Sequence, residues 1–380
     1  MLMKKVYVLV ALVVLAAVLF WVNSSRNDNT ASVVDSSREI KIGAILPMTG
    51  DLAFVGEEMR KGMELAISDY PELSIKLIVE DDQTVVNAVA VNAANKLTRV
   101  DNVDVLLNVA ANTQKAIDSV LSAAKVPGVV IWDNNRAIKE LSPYSFAIGF
   151  STEQAGEDMA QYAYTNLGAR SVAVLSAVDE WSEVISEAFI KEFKKLGGTV
   201  VIRERTSTGE SDFRTSVAKV VQADVDAVYF PHFPVPNELI TKQLRELGYS
   251  GRLLSADAFV DTTVENLGAL ADGVYLSQMW LEDQNFYERY VAKYGSETNP
   301  INLAFVGLGY DSIKLVAELS KKLQAEGKDI TREAIHENLI GFRFSGITGV
   351  TEISPDRTAD KREKILQVQN GTFVRVSEGN

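Results

Sequence analysis

Asp133 follows an apolar run, Val126 to Trp132, that reads as a buried strand, so its carboxylate stands at the strand's carboxyl end beside an indole. A carboxylate in that place suits the amine of a small ligand. A local reading competes with this one: Asp133 or Asn134 forms an Asx-type turn or caps a helix, as such side chains commonly do. Asp257 follows the apolar run Leu253 to Ala256 in the same way. His232 and Phe233 lie on a loop bracketed by Pro231 and Pro234, and loops held on a rigid scaffold carry function more often than strand interiors do. A lone histidine is nevertheless more often structural.

Most covalent and metal chemistry is closed to this chain. It has no cysteine, which removes disulfides, thiolate metal sites and cysteine nucleophiles, and its two histidines, His232 and His336, lie far apart. There is no nucleophile elbow, no P-loop and no complete dinucleotide fingerprint. Asp133 and Asp257 as paired carboxylates would be the minimum for a hydrolase, but two carboxylates suit binding equally well. The expectation is therefore a protein that is not an enzyme and needs no cofactor. With 38 Lys and Arg against 51 Asp and Glu, the formal charge of −13 argues against nucleic acid or an anionic membrane surface as partner. A cationic or neutral solute fits better.

The elements that would position these groups alternate strand and helix. Ile40 to Leu46 reads as a strand, Pro47 and Gly50 break the loop after it, and Glu57 and Glu58 fall in the first turn of the next helix. Ile75 to Val79, Val103 to Val109 and Val126 to Trp132 continue a parallel sheet, with helical periodicity between them. Asp81 and Asp82 are expected to cap a helix starting near Thr84. A second series runs from about Ser151 through Ser171 to Leu175, Val200 to Glu204, Ala227 to Phe230 and Leu253 to Ala256. The two halves read as two copies of one architecture. Asn370-Gly371 between Lys364 to Val368 and Thr372 to Val376 is a hairpin with a type I′ turn signal.

The order of elements and several phrases resemble the leucine/isoleucine/valine-binding family of periplasmic solute receptors. The phrases are IKIGAILPMTGDLAFVGEEMRKGMELA at 40–66, VEDDQTVVNAVAVNAANKL at 79–97, LSPYSFAIGFSTEQAGEDMAQY at 141–162, GGTVVIRERTSTGESDFRTSVAKV at 197–220 and LAFVGLGYDSIKLVAEL at 303–319. The resemblance implies an α/β fold of the type I periplasmic binding protein: two doubly wound parallel-sheet lobes joined by a three-crossing hinge, closing on a ligand between them. The crossings would fall near 150, 278 and 354. Lobe 1 would comprise 39–150 plus 279–354, and lobe 2 would comprise 151–278 plus 355–380.

Site residues carry over from that resemblance position by position. The family's carboxylate-holding serine corresponds to Ala110, so the hydroxyl is missing, while backbone N–H groups at Ala110, Ala111 and Asn112 are still suited to an anion. Trp132, Asp133, Asn134 and Asn135 stand where the family has small residues and a threonine around the ligand ammonium. In lobe 2 the aromatics correspond to Trp181 and Phe233, and the acidic ammonium partner to Asp257. Trp181 either closes over the ligand or packs as the first core residue of its helix. Phe54 is the ring that the first loop offers, with its direction open. Together these residues suggest a positive amine held by charge and cation–π contact. The implied role is delivery of an amino acid, amine or amide to the membrane permease of an ABC transporter; a membrane-tethered ligand sensor is the alternative.

The N-terminal segment bears on compartment. Lys4 and Lys5 precede an uncharged run from Val6 to Val22, so residues 1–22 read as a signal peptide or an N-terminal membrane anchor. Residues 23–38 read as a flexible tether. Either outcome places the body outside the cytoplasm.

Overall fold

The computed structural model describes residues 38–376 apart from positions 51, 85, 208, 296, 297 and 360. The expected export or anchor segment at 1–22, and all but the last residue of the expected tether, lie outside the described residues.

The first half forms β1 (Ile40–Leu46), α1 (Ala53–Asp69), β2 (Ile75–Asp81), α2 (Asn87–Arg99), β3 (Val105–Asn108), α3 (Ala111–Ala124) and β4 (Gly128–Val130). Two-residue β5 (Asp133–Asn134), then β6 (Ser145–Ala147) and two-residue β7 (Phe150–Ser151) follow. A fully parallel sheet results, in the order β2-β1-β3-β4-β6. β1 is buried along almost its whole length, because helices cover both faces of a parallel sheet and leave no polar side.

Two expectations for this half need correction. α1 starts at Ala53, so Glu57 and Glu58 fall beyond its first turn, which holds no acidic residue. Gly50, at φ +83°, turns the chain early enough for the Ala53 N–H to reach the Gly50 carbonyl. The two glutamates instead pair along the helix with Arg60 and Lys61. Asp81 does not cap a helix. Its carboxylate accepts from the N–H groups of Met48, Thr49 and Gln83 and from the Thr49 hydroxyl, tying the end of β2 to the loop after β1. Gln83 and Thr84 then take left-handed backbone conformations, which delays α2 to Asn87.

The second half begins with α4 (Thr152–Thr165) and continues through β8 (Ser171–Ala177), α5 (Glu180–Lys195), β9 (Thr199–Thr206), α6 (Arg214–Ala223) and β10 (Ala227–Tyr229). α7 (Pro234–Glu246), β11 (Arg252–Ser255), α8 (Asp261–Leu267) and β12 (Val274–Gln278) complete the series. Then come α9 (Gln284–Tyr294), α10 (Pro300–Ala325), α11 (Arg332–Leu339), the hairpin β13 (Arg343–Gly346) and β14 (Gly349–Glu352), and the hairpin β15 (Lys364–Gln369) and β16 (Thr372–Arg375). Their sheet has the order β16-β15-β12-β11-β10-β8-β9, with only the last hairpin antiparallel. Asn370 and Gly371 both have positive φ, as the type I′ turn requires.

Both sheets reverse their strand order after the first strand, between β1 and β3 and between β8 and β10. At such switch points the loops part outside the carboxyl ends of the strands and leave a crevice. The chain passes between the sheets three times: around 148–152, after β12, and between β14 and β15. The first and third passages are knitted together, since the Ser151 N–H donates to the Lys361 carbonyl and Ala147 bridges Thr358. Lys361 is buried there beside Asp311 of α10 and donates to the Thr348 hydroxyl at 2.7 Å. α10 returns from β12 to pack on α1, although it lies late in the chain.

Candidate ligand-binding cleft

The two switch points face one another across a cavity of about 200 Å³. Its walls are loops that leave the carboxyl ends of strands. On one side stand Leu52 from the loop after β1, Thr84 after β2, and Ala110 and Asn112 at the start of α3. Trp132, Asp133 and Asn135 follow β4 on that same side. The other side supplies Asp179, Glu180 and Trp181 at the start of α5, Phe233 before α7, and Asp257 and Ala258 after β11.

Of the residues expected from the sequence, Ala110, Asn112, Asp133, Asn135, Trp181, Phe233 and Asp257 line this cavity. Three do not. Phe54 turns into the first lobe, where its ring meets Phe305 edge-on at 6.1 Å, and Phe305 in turn supports Trp132 at 5.1 Å. Ala111 is buried and reaches the site only through its backbone N–H. His232 is 1% exposed, contacts the Thr206 hydroxyl through Nε2 at 2.9 Å and lies edge-on to Phe213. Burial pushes its pKa down to about 4, so the ring is neutral.

Asp133 is anchored on both sides of its backbone. Its N–H donates to the Val109 carbonyl, and β5 pairs it with Phe150 at the first passage between lobes. One carboxylate oxygen accepts from the Thr152 hydroxyl and the other from the Ala111 N–H at 3.4 Å. The expected turn chemistry falls to Asn135, which caps the short 3₁₀ helix Arg136–Glu140 by accepting from the Ala137 N–H, while Asn134 donates to the distant Ala359 carbonyl.

Asp257 is 7% exposed. Burial pushes its pKa up to about 7, the nearby charge of Asp133 adds to the rise, and the Trp132 indole N–H opposes it. Burial likewise raises Asp133 to about 6, against the hydrogen bonds from Thr152 and Ala111. Glu363, from the third passage, joins them: burial and the charge of Asp257 lift its pKa as well. Neither aspartate has an ion-pair partner among the described residues. Among the described residues no Lys, Arg or His side chain lines the cavity. Lys115 approaches Glu180 from the opposite lobe at 3.4 Å, on an exposed rim.

The aromatic walls are arranged for a flat or cationic group. Trp181 and Phe233 lie with ring centroids 5.5 Å apart, and Phe233 keeps 38% of its surface exposed. Trp181 is thus shared between the second-lobe core and the cavity, which combines both sequence readings. Sequence reasoning did not single out Leu52, Thr84, Asp179, Glu180 and Ala258 as lining residues, nor Glu363 as a charge acting on the two aspartates. The first five follow strand ends closely, a signal that was available. Glu363 had none, because only the return of the chain near 355–363 brings it here.

The sequence matches the periplasmic binding protein family over residues 39–372. The fold is similar to a leucine binding protein, LivK, of Thermotoga maritima, with a TM-score of 0.79 and 27% identity, covering 89% of this chain and 98% of that one. It is also similar to a solute binding protein of an ABC transporter from Rhodopseudomonas palustris BisB5 in complex with 3,4-dihydroxybenzoic acid, with a TM-score of 0.77, 24% identity and coverage of 89% and 96%. A Leu/Ile/Val-binding protein, BraC3, of Rhizobium johnstonii is 23% identical over 62% of this chain and 66% of its own length. The chain spans a little under two thirds of the length of such curated relatives. With both lobes, the two switch points and the match over 39–372 in agreement, the chain belongs to the periplasmic binding protein family and has the type I architecture of its leucine/isoleucine/valine-binding members.

Proposed function

We propose that this chain is an exported substrate-binding protein of an ABC transporter. It holds an amino-acid-like or amine-bearing small solute between lobe 1 (39–150 plus 279–354) and lobe 2 (151–278 plus 355–380), closes on it by hinge rotation, and hands it to a membrane permease. Catalysis has no part in this reading, and the relatives named above are binding proteins. The carrying observation is the pair Asp133 and Asp257, one from each lobe, facing one cavity without a counter-ion. A buried carboxylate without a cation is costly, and a ligand ammonium between the lobes supplies the missing charge while drawing them together.

Trp132, Trp181 and Phe233 add ring faces to the same space, a setting in which cation–π attraction gains strength as water leaves. The relatives support the receptor role more than any one solute: one is named for leucine, and another is bound to 3,4-dihydroxybenzoic acid. Calorimetry of ligand-freed protein against amino acids, amines, amides and aromatic acids tests the reading. Saturable binding of an amine-bearing solute that quenches or shifts tryptophan emission is expected. Tight binding of an aromatic acid with none of any amine would refute the amine-centred form.

A further inference from the structure

The start of α3 is the place in this cleft best suited to an anion, because the first N–H groups of a helix are free and its dipole favours negative charge there. In this chain that place is filled in part from within. Asp133 takes the Ala111 N–H, Asn112 Oδ1 takes the Thr113 N–H at 2.8 Å, and the Gln114 N–H goes to the Ala110 carbonyl. Ala110 contributes a methyl group and no hydroxyl. Among the described residues, the rest of the lining offers a carboxylate no cation. Its charged residues are Asp133, Asp179, Glu180 and Asp257, all acidic. Among the described residues no group of His, Asp or Glu is arranged to hold a metal ion that would reverse that sign.

We infer that the ligand is a cation without a carboxylate group, such as an amine, a diamine or an amino-acid amide, because Asp133 occupies the anion position at the start of α3 and faces Asp257 across the cleft. This rests on the receptor reading above and narrows it: a zwitterionic amino acid would find its ammonium partner but would set its carboxylate against Asp133. Asp133 thus serves twice, as the internal occupant of the helix terminus and as half of the ammonium site. Thr152 holds it there from the first passage between lobes.

Matched ligand sets separate the inference from the receptor reading. Ligand-freed protein is titrated at pH 7.5 with leucine, leucinamide, 3-methylbutylamine and 4-methylpentanoate, then with the phenylalanine and arginine counterparts, including agmatine. In the set that binds, the amine or amide is expected to bind at least tenfold more tightly than its parent amino acid, with the carboxylate-only analogue inactive. A parent amino acid that binds as tightly as its amide overturns the inference and leaves the receptor reading standing. Binding by no member of any set overturns both. In Asp133→Ala the Ala111 N–H loses its acceptor, and the amino acid to amine affinity ratio should move at least tenfold toward the amino acid. An unchanged ratio in the folded variant also overturns the inference; if that variant does not fold, the wild-type ratios decide.

Discussion

At Asp257, stability and recognition oppose one another. Its folded pKa is raised to about 7 from an ordinary 3.8, so the fold favours the protonated form. Its stabilising contribution is complete below the unfolded value and is lost as pH rises through about 7. Asp257→Asn imitates the protonated state. The ligand-free variant should gain about 4 kcal/mol at pH 7.5 and almost nothing at pH 3.5, read from denaturant melts, while its affinity for an amine falls at least tenfold. His232 makes the contrasting case. Replacing it with alanine removes a buried ring and the partner of Thr206, and should cost about 2–4 kcal/mol in urea unfolding. Ligand affinity should stay within about twofold, because the ring does not reach the cavity. Both residues follow strand ends in the sequence. What separates them is side-chain direction, which depends on local packing that neither residue type encodes.

At the scale of elements, the contact of α1 with α10 is made backbone to backbone. A Cβ at Gly62 would lie 1.9 Å from the Val306 carbonyl oxygen, and one at Gly309 would lie 2.0 Å from that of Met59. Helix propensity alone favours alanine at an interior position by about 1 kcal/mol. The opposite sign is expected for Gly62→Ala: forcing the helices apart should destabilise by about 2 kcal/mol or more in chemical denaturation. A stabilised variant would contradict the close packing of these helices. The same contact sets α10 beside α1, within the 279–354 segment that the family resemblance assigns to lobe 1. Its apolar positions declare burial without naming the surface that covers them. β6 escaped notice for another reason, being only three residues that follow Pro143. The β13 and β14 hairpin is similarly short and partly exposed, so its pattern is weak.

At the scale of the molecule, the acidic groups of the cleft link recognition to pH. Asp133 and Asp257 are raised to about 6 and about 7, Glu363 is raised with them, and Glu153 and Glu180 add to the field at Asp133. A cation prefers the ionised carboxylates, so amine affinity should rise at least tenfold between pH 5 and pH 7.5 in calorimetry. The unligated protein loses stability over that window for the same reason, which makes ligand-induced stabilisation largest at the higher pH. Closure of the lobes should appear as a smaller radius of gyration in X-ray scattering when a binding amine is added. An unchanged radius at saturation would argue against hinge closure.

The sequence by itself determined the strand and helix alternation, the two-copy architecture, the family and the strand-end origin of the site. The family follows from the matching phrases, and the rest from apolar periodicity, from turn residues such as Gly50 and Asn370-Gly371, and from the rule that open α/β sheets bind at their carboxyl edges. It also placed Asp133, Trp181, Phe233 and Asp257 at such ends. The tertiary structure alone decided which strand-end side chains face the cavity. It turned Phe54 and His232 into cores, brought Glu363 in from the third passage, and set Asp133 against the start of α3. Each of those outcomes depends on segments far apart in the chain meeting in space, and a strand-end signal fixes where a residue sits but not what will be packed against it.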